Sequence, residues 1–214
     1  MNAPLIKICG IATPAALDAS IVARADFVGF VFFPPSPRNV TPSDAQALAA
    51  RTGGRAKKVG LFVDADDRDI ADAVQAANLD AIQLHGNETP ERVAQVKARF
   101  ARPVWKALPV ASAHDVERAL GYHTAADLIL FDAKTPTDAT RPGGMGLVFD
   151  WSLLAGYGHP GRWGLAGGLN PANVGDAIRI TGTGLVDTSS GVESAPGVKD
   201  AARIAAFCAA VRAG

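Results

Sequence analysis

Short runs of β-branched and aromatic residues alternate along this chain with alanine-rich stretches patterned for helix. Eight runs read as strands: Leu5 to Cys9, Phe27 to Phe32, Lys58 to Val63, Ala81 to Leu84, Val104 to Ala107, Asp127 to Phe131, Arg162 to Leu165 and Gly184 to Asp187. Between them, Thr13-Pro14, Thr41-Pro42, Thr89-Pro90 and Asn170-Pro171 each place a capping side chain before a proline suited to a first helical turn. Asp66-Asp67 marks a fifth helix start, and Ala113 to Leu120, Asp150 to Leu154 and Val198 to Val211 complete the set.

Successive strands begin roughly 20 to 35 residues apart, the length of one βα unit, and eight such units predict a closed parallel (β/α)8 barrel of the TIM type. A doubly wound open sheet is the alternative, and it rarely needs eight regular units. The 214 residues fit one α/β barrel domain spanning 1–214.

Composition narrows the function. Apolar residues make up 48% and charged residues 20%, as in a globular protein with a sizeable core. The formal net charge is zero and no stretch is strongly basic, which argues against nucleic acid as a partner. Two cysteines make no disulfide framework, and no apolar span reaches the ~18 residues of a membrane helix. With no signal peptide recognisable, the expected compartment is the cytoplasm. Cys208 reads as a small buried apolar residue.

In a barrel of this kind, chemistry gathers at the C-terminal ends of the strands. Alternation puts Ile6 and Ile8 on one face of the first strand, and Lys7 and Cys9 on the other. Gln83 and His85 follow for the fourth strand, Lys106 for the fifth, Asp132 for the sixth and Asp187 for the eighth, converging on one mouth. Cys9 there is a nucleophile, a metal ligand or a base. His85 reads as a hydrogen-bonding pocket residue, because no second histidine or carboxylate cluster accompanies it, and no metal site is assigned.

Three loops carry further candidates. Phe33-Pro34-Pro35-Ser36-Pro37-Arg38 restricts its own conformations, which suits Arg38 to holding a carboxylate or phosphate. The paired Gly167 and Gly168 end the seventh run, and Ser189, Ser190 and Gly191 follow the eighth. Glycines admit a ligand to backbone N–H groups, and these two loops hold phosphate in many barrels. The long connection from Ala133 to Phe149, with Gly143, Gly144 and Gly146, is a candidate cover for the mouth. No Gly-rich string sits where a dinucleotide-binding turn requires it.

Lys7-Ile8-Cys9-Gly10, Gly29-Phe30-Val31-Phe32 with Ser36-Pro37-Arg38, Gln83-Leu84-His85-Gly86, Phe131-Asp132-Ala133-Lys134, Gly143-Gly144-Met145-Gly146 with Phe149-Asp150-Trp151, Leu165-Ala166-Gly167-Gly168-Leu169 and Asp187-Thr188-Ser189-Ser190-Gly191-Val192-Glu193 occur in this order. Together they resemble the phosphoribosylanthranilate isomerase family over nearly the whole chain. The resemblance implies an aldose-to-ketose rearrangement in tryptophan biosynthesis without metal or cofactor, acting on a small phosphorylated anion. It implies Cys9 as general base, Asp132 as general acid and Arg38 as the holder of the anthranilate carboxylate. Gly167, Gly168, Ser190 and Gly191 match its phosphate cradle, and His85 and Asp187 are expected to contact substrate. Met145, Leu147, Pro109 and Thr188 depart from the pattern expected of these motifs.

Chemistry sets two demands on this pair. A thiol with an ordinary pKa near 8.5 is mostly protonated at neutral pH, so Lys7 is expected to pull Cys9 towards thiolate. Asp132 must carry a proton to act as an acid. A metal-dependent phosphosugar epimerase, the histidine-pathway isomerase and a barrel that binds phosphate without turnover are the competing assignments. The epimerase would need strand-end histidines beyond His85, and the histidine-pathway enzyme an aspartate in place of Cys9. Either a monomer or a homodimer fits the sequence.

Overall fold

The alternation resolves into eight parallel strands in a computed structural model that describes residues 3–134, 146–158 and 161–213. They are β1 (Leu5–Cys9), β2 (Phe27–Phe32), β3 (Lys57–Phe62), β4 (Ala81–Leu84), β5 (Val104–Val110), β6 (Leu128–Ala133), β7 (Arg162–Leu165) and β8 (Leu185–Thr188). Each pairs with the next, and β8 returns to β1 in the register Lys7 to Asp187, so the barrel closes. Closure leaves no sheet edge to satisfy.

Helices α1 (Pro14–Val22), α2 (Pro42–Thr52), α3 (Asp67–Ala77) and α4 (Pro90–Phe100) start where their capping residues predict. Thr13, Thr41, Asp66 and Thr89 accept from backbone N–H groups three residues on, satisfying donors that the first turn leaves open. Then come α5 (Ala113–Glu117), extended by a 3-10 turn through Tyr122, α6 (Val174–Thr181) and α7 (Ala201–Ala213).

Three boundaries differ from expectation. Asp150 to Leu154 forms a single 3-10 turn, with Asp150 capping the N–H of Ser152. Asn170-Pro171 opens a turn instead of a helix, because the Asn173 side chain accepts from Asn170 N–H and donates to the Gly168 carbonyl, and α6 begins only at Val174. Val198 and Lys199 pair as β10 (Val198–Lys199) with β9 (Glu193–Ala195), which delays α7 to Ala201. Gly143 and Gly144 of the long sixth connection lie outside the described residues.

Packing follows the two faces of each strand. Ile6, Ile8, Val28, Phe30, Ile82, Ile129, Phe131 and Val186 point outward into one core shared with the helices. Phe27, Val59, Ala81, Trp105, Ala107, Leu128, Leu130 and Leu185 fill the barrel interior, where Phe27 meets Trp105 edge to face at 5.0 Å. Above them lie Cys9, Val31 and Leu61, under Phe33 and Val63. The barrel is therefore plugged below and open above, and that open end holds the polar residues. Among the described residues, no helix is long and apolar enough to cross a membrane.

Candidate active site

A cavity open to solvent occupies the C-terminal mouth. Its walls include Cys9 from β1, Arg38 after β2, Gln83 and His85 at β4, Asp132 from β6, Gly167 and Gly168 after β7, and Asp187 and Ser190 at β8. Eight of the nine predicted site residues thus meet in one place. Gly191 follows Ser190 directly without itself lining the cavity, and it is packed so tightly on the Leu169 carbonyl that it has no room for a side chain.

Cys9 sits beneath β2 at Gly29, where an added methyl would lie 2.9 Å from Cys9 Sγ and 3.2 Å from Lys7 Nζ. The glycine makes room for thiol and ammonium together. Lys7 is wholly enclosed and donates to Asp187 Oδ2 at 2.7 Å. Burial works against its charge, but Asp187 and Cys9 outweigh it and hold the amine above its ordinary range. Burial also pushes the Cys9 thiol up; Lys7 opposes that push and Asp187 adds to it. Lys7 therefore acts in the expected direction without winning: its ammonium is committed to Asp187, and Cys9 in the open site is a thiol at neutral pH.

Asp132 ends β6 with both oxygens occupied. Oδ1 accepts from the N–H of Ala133 at 2.8 Å, and Oδ2 lies 2.9 Å from His85 Nε2. Gly167, at φ +83°, lets the β7 loop cross directly over this carboxylate, since a methyl there would stand 2.9 Å from Asp132 Oδ1. The β7 and β8 loops are tied together by the Thr188 hydroxyl, which donates to the Leu169 carbonyl at 2.7 Å. Thr188, unexpected in its motif, is thus the link between two loops. In the 3-10 turn Ser190–Val192, the N–H groups of Ser190 and Gly191 lead, and a leading turn has no internal partner for such donors.

Lys106 does not join the mouth as its strand-end position predicts. Trp105 and Ala107 face the barrel interior, so Lys106 points outward, donating to Glu88 Oε2 at 3.0 Å and to the carbonyls of Gly86 and Ala107 at 2.8 Å. The interior of a barrel takes a bulky aromatic as readily as a strand exterior does, so alternation alone left the phase of β5 open.

The family model described as N-(5'-phosphoribosyl)anthranilate (PRA) isomerase matches residues 6–210. The chain belongs to the N-(5'-phosphoribosyl)anthranilate isomerase family. It is 52% identical over 211 residues to the N-(5'-phosphoribosyl)anthranilate isomerase of Paramagnetospirillum magneticum, covering 98% of this chain and 97% of that one. The crystal structure of phosphoribosyl anthranilate isomerase from Thermotoga maritima superposes with a TM-score of 0.88 at 38% identity, covering 99% of this chain and 100% of the other. A phosphoribosyl anthranilate isomerase in complex with reduced 1-(o-carboxyphenylamino)-1-deoxyribulose 5-phosphate gives a TM-score of 0.85 at 36% identity, with coverage of 99% and 100%.

This member of the isomerase family also holds residues that the linear pattern underplayed. Arg38 is buried at the cavity wall with Nε and Nη2 each 2.7 Å from a Glu193 carboxylate oxygen, a bidentate pair joining residues 155 positions apart. Lys199 donates to the same carboxylate at 2.7 Å, and to the Ser189 carbonyl and hydroxyl at 2.9 and 3.1 Å. Burial draws the Lys199 ammonium below its ordinary value against the pull of Glu193. The readable signal for this cluster was Pro196-Gly197, a turn between two short runs that delivers Lys199 back to Glu193.

Proposed function

We propose that this chain converts N-(5'-phosphoribosyl)anthranilate to 1-(2-carboxyphenylamino)-1-deoxyribulose 5-phosphate by an acid–base Amadori rearrangement, a step of tryptophan biosynthesis. The observation that carries this reading is the opposition of Cys9 on β1 and Asp132 on β6 across one cavity whose remaining walls suit two anions.

Ring opening needs a proton on the ribose ring oxygen, and the resulting Schiff base must then lose its C2 proton. Asp132 supplies the first and Cys9 accepts the second, from opposite sides of the sugar. The enolamine left by the second step then takes a proton at C1 from solvent while its C2 hydroxyl releases one, which gives the 2-ketose with no net change in protons. Arg38, pinned by Glu193, presents its positive charge to the anthranilate carboxylate. The backbone at Gly167, Gly168, Ser190 and Gly191 receives the phosphate. His85 and Asp187 contact the sugar between them; Asp187 Oδ1 is buried and takes no hydrogen bond from the described residues, so it can accept one from a substrate hydroxyl.

Because burial raises the Cys9 thiol, the thiolate fraction and kcat/KM grow as pH rises above neutral. Both cysteines are free, which suits a reducing cytoplasm, and the partner is a small phosphorylated anion, with neither nucleic acid nor membrane required. The working unit is a monomer or a homodimer, and light scattering on the purified protein distinguishes them.

The decay of substrate fluorescence tests the assignment. Cys9→Ala and Asp132→Asn should each lower kcat by roughly 100-fold or more. Asp132→Asn should keep its affinity for the reduced product analogue within a few-fold. Near-normal turnover in either variant would overturn that residue's role.

A further inference from the structure

The mouth contains a buried group that the two reacting residues do not account for. Gln83 is fully buried on the inward face of β4, and its Nε2 lies 3.4 Å from His85 Nδ1. The opposite nitrogen, Nε2, lies 2.9 Å from Asp132 Oδ2. Gln83, His85 and Asp132 therefore form one line from the barrel interior to the candidate acid. Gln83 Oε1 is buried, and no donor among the described residues reaches it.

An amide can present either end to an imidazole, and the end it presents decides which ring nitrogen carries hydrogen. With NH2 towards Nδ1, that nitrogen must be bare, so Nε2 carries the hydrogen and donates to an ionised Asp132. The line then holds one proton. With the carbonyl towards Nδ1, Nδ1–H donates to Oε1, and Nε2 is free to share a second proton with Asp132. A buried carbonyl left without a donor is unfavourable, and turning the amide gives that carbonyl the imidazole N–H as its donor without displacing a heavy atom.

We propose that Gln83 is a positioning residue that turns its carbonyl to His85 in the working enzyme, fixing the Nδ1–H form of the ring so that the second proton rests between His85 and Asp132. This rests on Asp132 being the acid. The proton enters from water when the amide turns, passes to the ring oxygen through Asp132 and is replaced from solvent after turnover, so no other reactant is needed. The charged and titratable groups facing this line are Asp187 on β8, Lys7 and Cys9 on β1, and Arg38 at the wall. The Lys7 to Asp187 ion pair largely cancels itself there, which leaves the orientation of the amide to decide the proton count.

Nitrogen NMR of the imidazole rings reads the ring form directly, with His85 assigned among the four histidines by comparison with His85→Asn. In the native chain bound to the reduced product analogue, Nδ1 should carry hydrogen. In Gln83→Met that preference should be lost, kcat should fall at least about tenfold with KM changed less, and the high-pH limb of kcat should move to lower pH. Gln83→Glu, whose ionised carboxylate accepts only, should restore Nδ1–H and move that limb back up. A bare Nδ1 in the native complex, or an unchanged ring form in Gln83→Met, would overturn the proposal, and the first of these needs only the native chain and the His85→Asn comparison. Failure of Asp132 as the acid shows separately, as turnover in Asp132→Asn.

Discussion

Lys7 and Lys106 are both enclosed lysines paired with a carboxylate, Lys7 with Asp187 at 2.7 Å inside the barrel mouth and Lys106 with Glu88 at 3.0 Å on its outer face. Their surroundings differ in how completely hydrogen bonding is satisfied. Lys106 Nζ reaches Glu88 and three carbonyls, those of Leu84, Gly86 and Ala107, and Glu88 accepts in turn from the N–H groups of Asp64 and Gly86. Lys7 is held by Asp187 and abuts Cys9, while Asp187 Oδ1 takes no hydrogen bond among the described residues. A saturated network rigidifies the loop that carries His85; an unsaturated one beside an open cavity has capacity left for a ligand.

The saturated pair should be the more costly to break. Lys106→Met strands a buried carboxylate and removes the donor to three carbonyls, so the free energy of unfolding should fall by about 3–5 kcal/mol in urea titrations. Adding Glu88→Leu should not recover it, because the carbonyls and the N–H groups of Asp64 and Gly86 still lack partners. Recovery in the double variant would mean that the charge pair alone, and not the network, carries the stability. Turnover per folded molecule should fall by no more than about threefold, a loss set by looser seating of His85, since neither side chain lines the cavity.

Lys7→Met should divide its effect differently. Asp187 borders the open cavity and can take up a proton when its partner is removed, so the stability loss should be smaller, roughly 2 kcal/mol. The larger consequence falls on Cys9. Lys7 is the chief influence opposing burial there, so its removal should push the thiol further up and lower kcat/KM at neutral pH by about tenfold or more. Thiolate absorbance titrated against pH measures the shift directly, and an unmoved Cys9 titration would remove Lys7 from the chemistry altogether.

These two lysines also mark how far the linear pattern reaches. The phase of β1 was legible because Ile6 and Ile8 belong on the helix-covered side and leave Lys7 and Cys9 no other face. The phase of β5 was not, because Trp105 is suited to either side and only pairing with Leu128 on β6 places it inside. Helix starts at Thr13, Thr41, Asp66 and Thr89 were legible as local chemistry, a side-chain oxygen three residues before a waiting N–H. The helix expected at Asn170 was overridden by a contact outside the helix itself, Asn173 to the Gly168 carbonyl in the loop over the site. Cys9, Asp132 and the glycine loops could be read from their places at strand ends. The Arg38, Glu193 and Lys199 cluster had only the Pro196-Gly197 turn to mark it, because it depends on a two-strand hairpin that folds back on the mouth.

That cluster supplies an intermediate case between the two lysines, a buried carboxylate shared by two cations. Burial alone would raise Glu193, but the Arg38 fork and Lys199 outweigh it and hold the carboxyl below its ordinary 4.5. A carboxylate lowered by folding contributes stability that is complete above the unfolded value and is lost as pH falls through the folded one. Glu193→Gln should therefore cost about 1.5 kcal/mol at pH 7, with the difference from the native chain closing as pH falls below that ordinary value. A gap that persists unchanged into strong acid would show that Glu193 contributes packing instead of charge. Because Glu193 grips Arg38 by Nε and Nη2, the same variant should raise KM more than it lowers kcat, separating it from Lys7→Met, whose loss falls on the proton-transfer step.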